Sequence, residues 1–223
     1  MKNEQIYIEN LRKSVIDRIS DAINEESIDQ IVNLVKSRID DKTKFHSYYL
    51  EIVDKEEYFL DAGNFFRTFK NEYSLQGIDN NFLDNLEKHK EDILKYIHDD
   101  KLVQLYFDFF KKAELKQKGG TVSKELGSFF SKLVHTFRPK DYCALDNPIK
   151  NEYFKLQNES FFISFLVISA AYKQWANDNR GIIQEIRNKI KQADKKDIIK
   201  PERLTDLKLL DLIFWSKANL KKE

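Results

Sequence analysis

Apolar residues recur along this chain at intervals of three and four, the spacing that gathers them on one face of an α-helix. Ile8, Leu11, Val15, Ile19 and Ile23 form one such stripe. Ser27 and Gln30 then stand at capping-box spacing ahead of Ile28, Ile31, Val32, Leu34 and Val35, which predicts a second helix opening at Ser27. Further helices are predicted over Lys55 to Tyr73, Asn80 to Ile97 and Leu102 to Lys116. Aromatic clusters there, such as Phe65-Phe66-Arg67-Thr68-Phe69 and Tyr106-Phe107-Asp108-Phe109-Phe110, suggest thick interhelical packing. No run alternates apolar and polar residues for long enough to predict a strand, and only six glycines and three prolines punctuate the chain. The pattern predicts an all-α, multi-helix globular bundle.

The clear break is Lys118-Gly119-Gly120-Thr121, where two glycines mark a turn and Thr121 or Ser123 can cap the helix after it. Val122, Leu126, Phe129, Phe130, Leu133, Val134 and Phe137 then keep helical register and predict the best amphipathic helix of the chain. Lys124, Ser128, Ser131, His135 and Arg138 fall on its opposite face, and Lys132 lies at the border. Pro139 stops this helix, and Asn147-Pro148 predicts a restart as an N-cap and first-turn pair. A helix buried on all sides is predicted near 160 to 176, then one over Ile182 to Ala193, a charged loop, and a last helix through Leu204, Leu207, Leu210, Phe214 and Trp215.

The chain of 223 residues is 41% hydrophobic, enough for one large domain with a real core. A boundary near Gly119-Gly120 would divide it into lobes 1–118 and 119–223. Charge is also uneven along the chain. Residues 1–110 carry 15 Lys and Arg against 23 Asp and Glu, a net −8, whereas residues 111–223 carry 23 against 14, a net +9. A basic half suits a polyanion that the acidic half repels and orients, or the two halves complement each other. The single cysteine, Cys143, and the absence of an apolar leader fit a reducing cytoplasm. Phe161 to Tyr172, the most apolar stretch, is shorter than the roughly 20 residues that cross a bilayer, so no membrane partner is expected. The four histidines and one cysteine show no metal-ligand spacing, and no cofactor is implied.

Candidate chemistry gathers around KLVHTFRPKDYCALDNPIK, Lys132 to Lys150. Asp146 stands just before a helix start that Asn147 can cap, which leaves its carboxylate free to stabilise a developing cation or activate a water; the alternative is that it makes an ordinary cap or pairs with a neighbouring lysine. Lys132, at the edge of an apolar face, is a candidate amine nucleophile, and a lysine in this setting also commonly snorkels to solvent. His135 lies one helical turn beyond it. Gly119 and Gly120 offer backbone N–H groups to a phosphate, with Lys124, His135, Arg138 and Lys140 as further candidate nucleic-acid contacts.

A glycine turn, an amphipathic helix, a loop and an apolar pair delivering an aspartate before another helix resemble the helix-hairpin-helix DNA glycosylase superfamily. Gly119-Gly120-Thr121-Val122-Ser123-Lys124 corresponds to that family's hairpin. Ala144-Leu145-Asp146-Asn147-Pro148-Ile149 corresponds to its aspartate motif of the type Pro-Val-Asp-Thr-His-Val. The hairpin lacks Gly-x-Gly spacing, Asn147-Pro148 replaces the histidine part of the motif, and there is no iron-sulfur cysteine set. The resemblance implies a two-lobed helical fold that holds DNA backbone at the hairpin and flips a damaged or modified base into a cleft. It makes Asp146 the catalytic carboxylate. In a lyase-type member it makes Lys132, or less readily Lys124, the Schiff-base lysine. The other expectations are a non-enzymatic helical module that docks a protein or nucleic acid, and a nuclease-like toxin or defence effector with His135 as general base.

Overall fold

The computed structural model describes residues 2–220, with the side chains of 3–218. Helix α1 (Lys2–Asn24) leads to α2 (Ile28–Asp41), whose N-terminus is closed by a full capping box between Ser27 and Gln30. Then follow α3 (Thr43–Ile52), α4 (Glu56–Asp61), α5 (Phe65–Glu72), α6 (Asn80–Lys88), α7 (Lys90–His98) and α8 (Leu102–Leu105), which runs on as a wide π-turn over Tyr106–Phe110. A hairpin of β1 (Ala113–Gln117) and β2 (Gly120–Lys124) precedes α9 (Gly127–Phe137). After a second π-turn over Pro148–Tyr153 come α10 (Phe161–Asp178), α11 (Arg180–Ala193) and α12 (Asp206–Leu220). The fold is helical, as the pattern predicts.

Three predicted helices divide. Lys55 to Tyr73 breaks between α4 and α5 at Ala62-Gly63-Asn64, and Asn80 to Ile97 breaks at His89, whose Nδ1 bonds the carbonyl of Asn85 at 2.8 Å. The third is corrected more deeply. Residues 113–117 leave the helix and pair antiparallel with 120–124, Ala113 opposite Lys124 and Gln117 opposite Gly120. The turn at Gly119-Gly120 therefore joins two strands rather than two helices. Gly120 holds φ +122, a conformation that side chains resist, which explains the glycine. Val122 belongs to β2, and α9 begins five residues later than its apolar spacing suggests, at Gly127. Neither Thr121 nor Ser123 caps it.

Helices from both ends of the chain interlock: α1 packs along α10, and α2 along α11 and α12. A cut at residue 119 would separate these partners and split the hairpin, so the packing does not follow lobes 1–118 and 119–223. Opposite charges meet across the halves, as in Lys189 with Asp29 at 2.9 Å and Lys217 with Glu26 at 2.7 Å. Helix α9 lies at the centre. Phe129, Phe130, Leu133, Val134 and Phe137 are buried as predicted, but so are Ser131 and His135 on its polar face and Thr136 at the edge of the stripe. That face is turned to other elements instead of solvent, and its polar groups must find partners there.

Candidate active site

Two serines decide where Asp146 stands. Ser131 Oγ donates to the carbonyl of Leu145 at 2.8 Å, and the Leu145 N–H returns a bond to Ser131 Oγ at 3.1 Å. Ser169 Oγ accepts from the Cys143 N–H at 3.0 Å. Cys143 and Leu145 are fully buried, while Tyr142, Ala144 and Asp146 are partly exposed, the period-two alternation of extended chain. Buried anchors thus fix the segment and turn Ala144 and Asp146 outward into a cavity.

Asn147 does not cap the restart. It already has helical backbone and makes no side-chain cap, and the Lys150 N–H donates to the Asp146 carbonyl at 3.0 Å. The Asp146 carboxylate instead accepts a charge-assisted bond from Lys132 Nζ, with the lysine side chain 12% and the aspartate 30% exposed.

The cavity beside this pair has a volume of about 410 Å³, within the range of small-molecule sites. Phe45, Tyr73, Leu75, Leu212 and Trp215 give it apolar and aromatic walls. Ser74, with φ +50, turns the chain after α5 so that residues 74–76 close one side. Arg38 lies over the Trp215 ring at 4.3 Å. A second ion pair, Lys208 Nζ to Asp211 Oδ2 at 2.6 Å, is almost wholly buried, and Lys208 also lies over the ring of Tyr49 at 4.7 Å. Burial pushes the Asp211 carboxyl up, with Lys208 opposing.

Two histidines also line the cavity. His135 Nδ1 lies 2.6 Å from the carbonyl of Tyr142, and its ring stacks on Tyr49 with centroids 5.3 Å apart. His46 Nε2 lies 2.9 Å from the carbonyl of Ile199. Burial lowers the pKa of His135 to about 3 and that of His46 to about 4, so both rings are neutral at pH 7. A neutral ring facing a carbonyl must donate through that nitrogen.

The structure therefore joins Lys132, Asp146 and His135 around one cavity and leaves other sequence candidates apart. Arg138 is committed elsewhere: Nε and Nη2 bond Asp141 at 3.1 and 2.8 Å, and Nη1 bonds Asp100 at 3.1 Å and the Ile97 carbonyl at 3.3 Å. Lys140 is exposed beside a different cavity that includes Asp54 and Lys173. Gly119, Gly120 and Lys124 are exposed on the hairpin. Asp79 bonds the Lys116 N–H, and an added Cβ on Gly77 would lie 3.2 Å from Lys124 Nζ, so the hairpin stands beside the 74–76 wall. Among the described residues, no group of three or more His, Cys, Asp and Glu is placed to hold a metal ion. No described helix is long and apolar enough to cross a membrane.

Arg38, His46, Tyr73, Lys208, Asp211 and Trp215 did not stand out in the sequence. One signal was available: Lys208 and Asp211, three apart, interrupt an otherwise apolar helix face. Compared with known proteins, the chain matches no family model, no curated protein and no solved structure.

Proposed function

We propose that this protein excises a modified or damaged base from DNA, with Asp146 and Lys132 as its catalytic residues. The observation that carries the reading is the Lys132–Asp146 pair at the edge of an aromatic-walled cavity. A carboxylate and the lysine amine bonded to it stand where a flipped nucleotide would present its sugar, while the cavity would receive the base. The exposed hairpin, with Lys116, Lys118 and Lys124, supplies cationic side chains for phosphate, and Lys124 Nζ lies near Gly77, just beyond the 74–76 wall.

In the reaction, the Asp146 carboxylate takes a proton from Lys132. The free amine attacks C1′ of the sugar, and the glycosidic C–N bond breaks with its electron pair leaving on the base. The base takes up the proton from Asp146, whose restored carboxylate faces the positive charge on the sugar. The secondary ammonium then gives a proton to Asp146, the nitrogen lone pair expels the ring oxygen O4′ from C1′ as that oxygen takes the proton from Asp146, and a protonated Schiff base is left on Lys132.

Borohydride trapping tests this assignment. Duplexes carrying different modified bases are incubated with the protein and reductant, and the expected result is a covalent protein–DNA adduct with one class of lesion that Lys132→Met no longer forms. An adduct that persists in Lys132→Met would refute the role of Lys132. Absence of both adduct and base release across the panel would refute base excision itself and favour a non-enzymatic binding module.

A further inference from the structure

The hairpin leaves one edge of its sheet open. Among the described residues the sheet has two strands, β1 and β2. The β1 side is closed: α6 packs against it, and the Lys116 N–H points away from β2 to the carboxylate of Asp79, the residue that also caps α6. Lys116 and Thr121 are therefore a pair that exchanges no ladder bonds, and by alternation so are Glu114 and Ser123. The main-chain N–H and C=O groups of Thr121 and Ser123 then face the far side of β2. They make no hydrogen bond among the described residues, and all five residues of β2 are exposed.

We propose that β2 is a docking edge for an extended, acidic segment of a partner protein, which adds to the sheet as a third strand. The order of groups along the edge selects a peptide. A donor and an acceptor stand at Thr121 and again at Ser123, about 7 Å further along the strand. Another main chain meets both kinds of group, whereas a phosphodiester chain would satisfy the N–H groups and set its oxygens against the carbonyls.

Charge selects the sign of the partner. Lys116, Lys118 and Lys124 are exposed on the hairpin with no ion pair among the described residues, against one exposed acid in the strands, Glu114. A second copy of this edge would bring the same lysines together from both sides, the device by which edge strands avoid pairing with themselves. Carboxylates on an incoming strand turn that repulsion into attraction. Val122, 38% exposed, shares a face with the buried Leu115, so one apolar side chain of the partner would cover it. A strand seated here lies over the lysines proposed to hold phosphate and would compete with DNA for the hairpin, but the docking does not rest on base excision.

The test is amide ¹⁵N spectroscopy with hydrogen exchange on the whole labelled protein. The probes are the capped peptide Glu-Thr-Glu-Val-Glu-Thr-Glu, the same peptide with lysine for each glutamate, the acidic peptide N-methylated throughout, and oligothymidylate. The acidic peptide should slow exchange at the Thr121 and Ser123 amides and bind at least about fivefold more tightly than the lysine or N-methylated peptide. Ser123→Pro removes an outward N–H and no ladder bond, a change that an edge strand tolerates, and should weaken binding by at least about fivefold. If that variant loses the pairing of β1 with β2, the N-methylated peptide carries the decision. No slowing at Thr121 and Ser123, equal binding of the lysine or N-methylated peptide, or full affinity in a folded Ser123→Pro would overturn the proposal. Slowing of the same two amides by oligothymidylate would overturn it in favour of a nucleic-acid track.

Discussion

Lys132 and Asp146, which the sequence places on a helix and beyond a proline-containing loop, are joined by a direct charge-assisted hydrogen bond. The loop between them is held by Ser131 on one side and Ser169 on the other, so the pair is a product of the fold and not of local spacing.

The pair sits between the limits of an exposed and a buried salt bridge. Asp146→Asn leaves the mostly buried lysine without its counter-charge and should lower stability by about 1–2 kcal/mol. Lys132→Met should cost less, because Asp146 is exposed enough to hydrate and the methionine can fill the apolar border. Urea unfolding of both variants checks the order; a greater loss for Lys132→Met would contradict it.

Acid should weaken the fold well above the range where carboxylates titrate. His46 and His135 bind protons in the unfolded chain near pH 6.5 but in the folded one only near 4 and 3. As pH falls from 6.5, the unfolded state gains protons that the folded state refuses, and stability drops by about 1.4 kcal/mol per pH unit for each histidine until the folded value is reached. Asp211, raised by burial, works in the opposite direction at lower pH. Urea midpoints at pH 7 and pH 5 measure the fall, and His46→Phe should make it shallower. A flat profile over that interval would count against neutral buried rings.

Much of the fold could be read in the sequence. The stripe of Val15, Ile19 and Ile23 and the Ser27–Gln30 capping box are local, and they appear as predicted. The hairpin was hidden because β1 offers just five residues of weak alternation and Val122 falls by chance into the register of the following helix. The site was legible only in pieces. Lys132, His135 and Asp146 lie in one segment, but nothing local brings His46 of α3 and Lys208 of α12 to the same cavity. Those contacts depend on how the chain ends fold back on each other.

Gly127 illustrates a close approach that helical spacing does not show. A Cβ at this position would lie 2.2–2.6 Å from ring atoms of Phe161, at the junction of α9 and α10. Gly127→Ala should therefore destabilise the protein by about 1–3 kcal/mol, the usual cost of overpacking, despite alanine's better helix propensity. Thermal unfolding would show a lower midpoint; an unchanged or higher one would mean that Phe161 moves aside freely.

Nucleic-acid binding should depend on the hairpin and not on Arg138. Replacing Lys116, Lys118 or Lys124 by Gln should weaken DNA affinity and reduce the slope of log K against log salt by about 0.9 for each phosphate that the lysine neutralises. Arg138→Gln should leave that slope alone and lower stability by about 1–2 kcal/mol through loss of its bonds to Asp100, Asp141 and Ile97. The reverse assignment of the two effects would displace the DNA surface from the hairpin.

The most direct measurement is release of the base from a lesion-bearing duplex by the natural protein and by Asp146→Asn, under conditions where circular dichroism shows both folded. Base excision through Asp146, as proposed, predicts release by the natural protein and a loss of at least about 100-fold in the variant, the scale on which removal of a catalytic electrostatic or acid–base group acts. Equal release by the two proteins would contradict a catalytic Asp146.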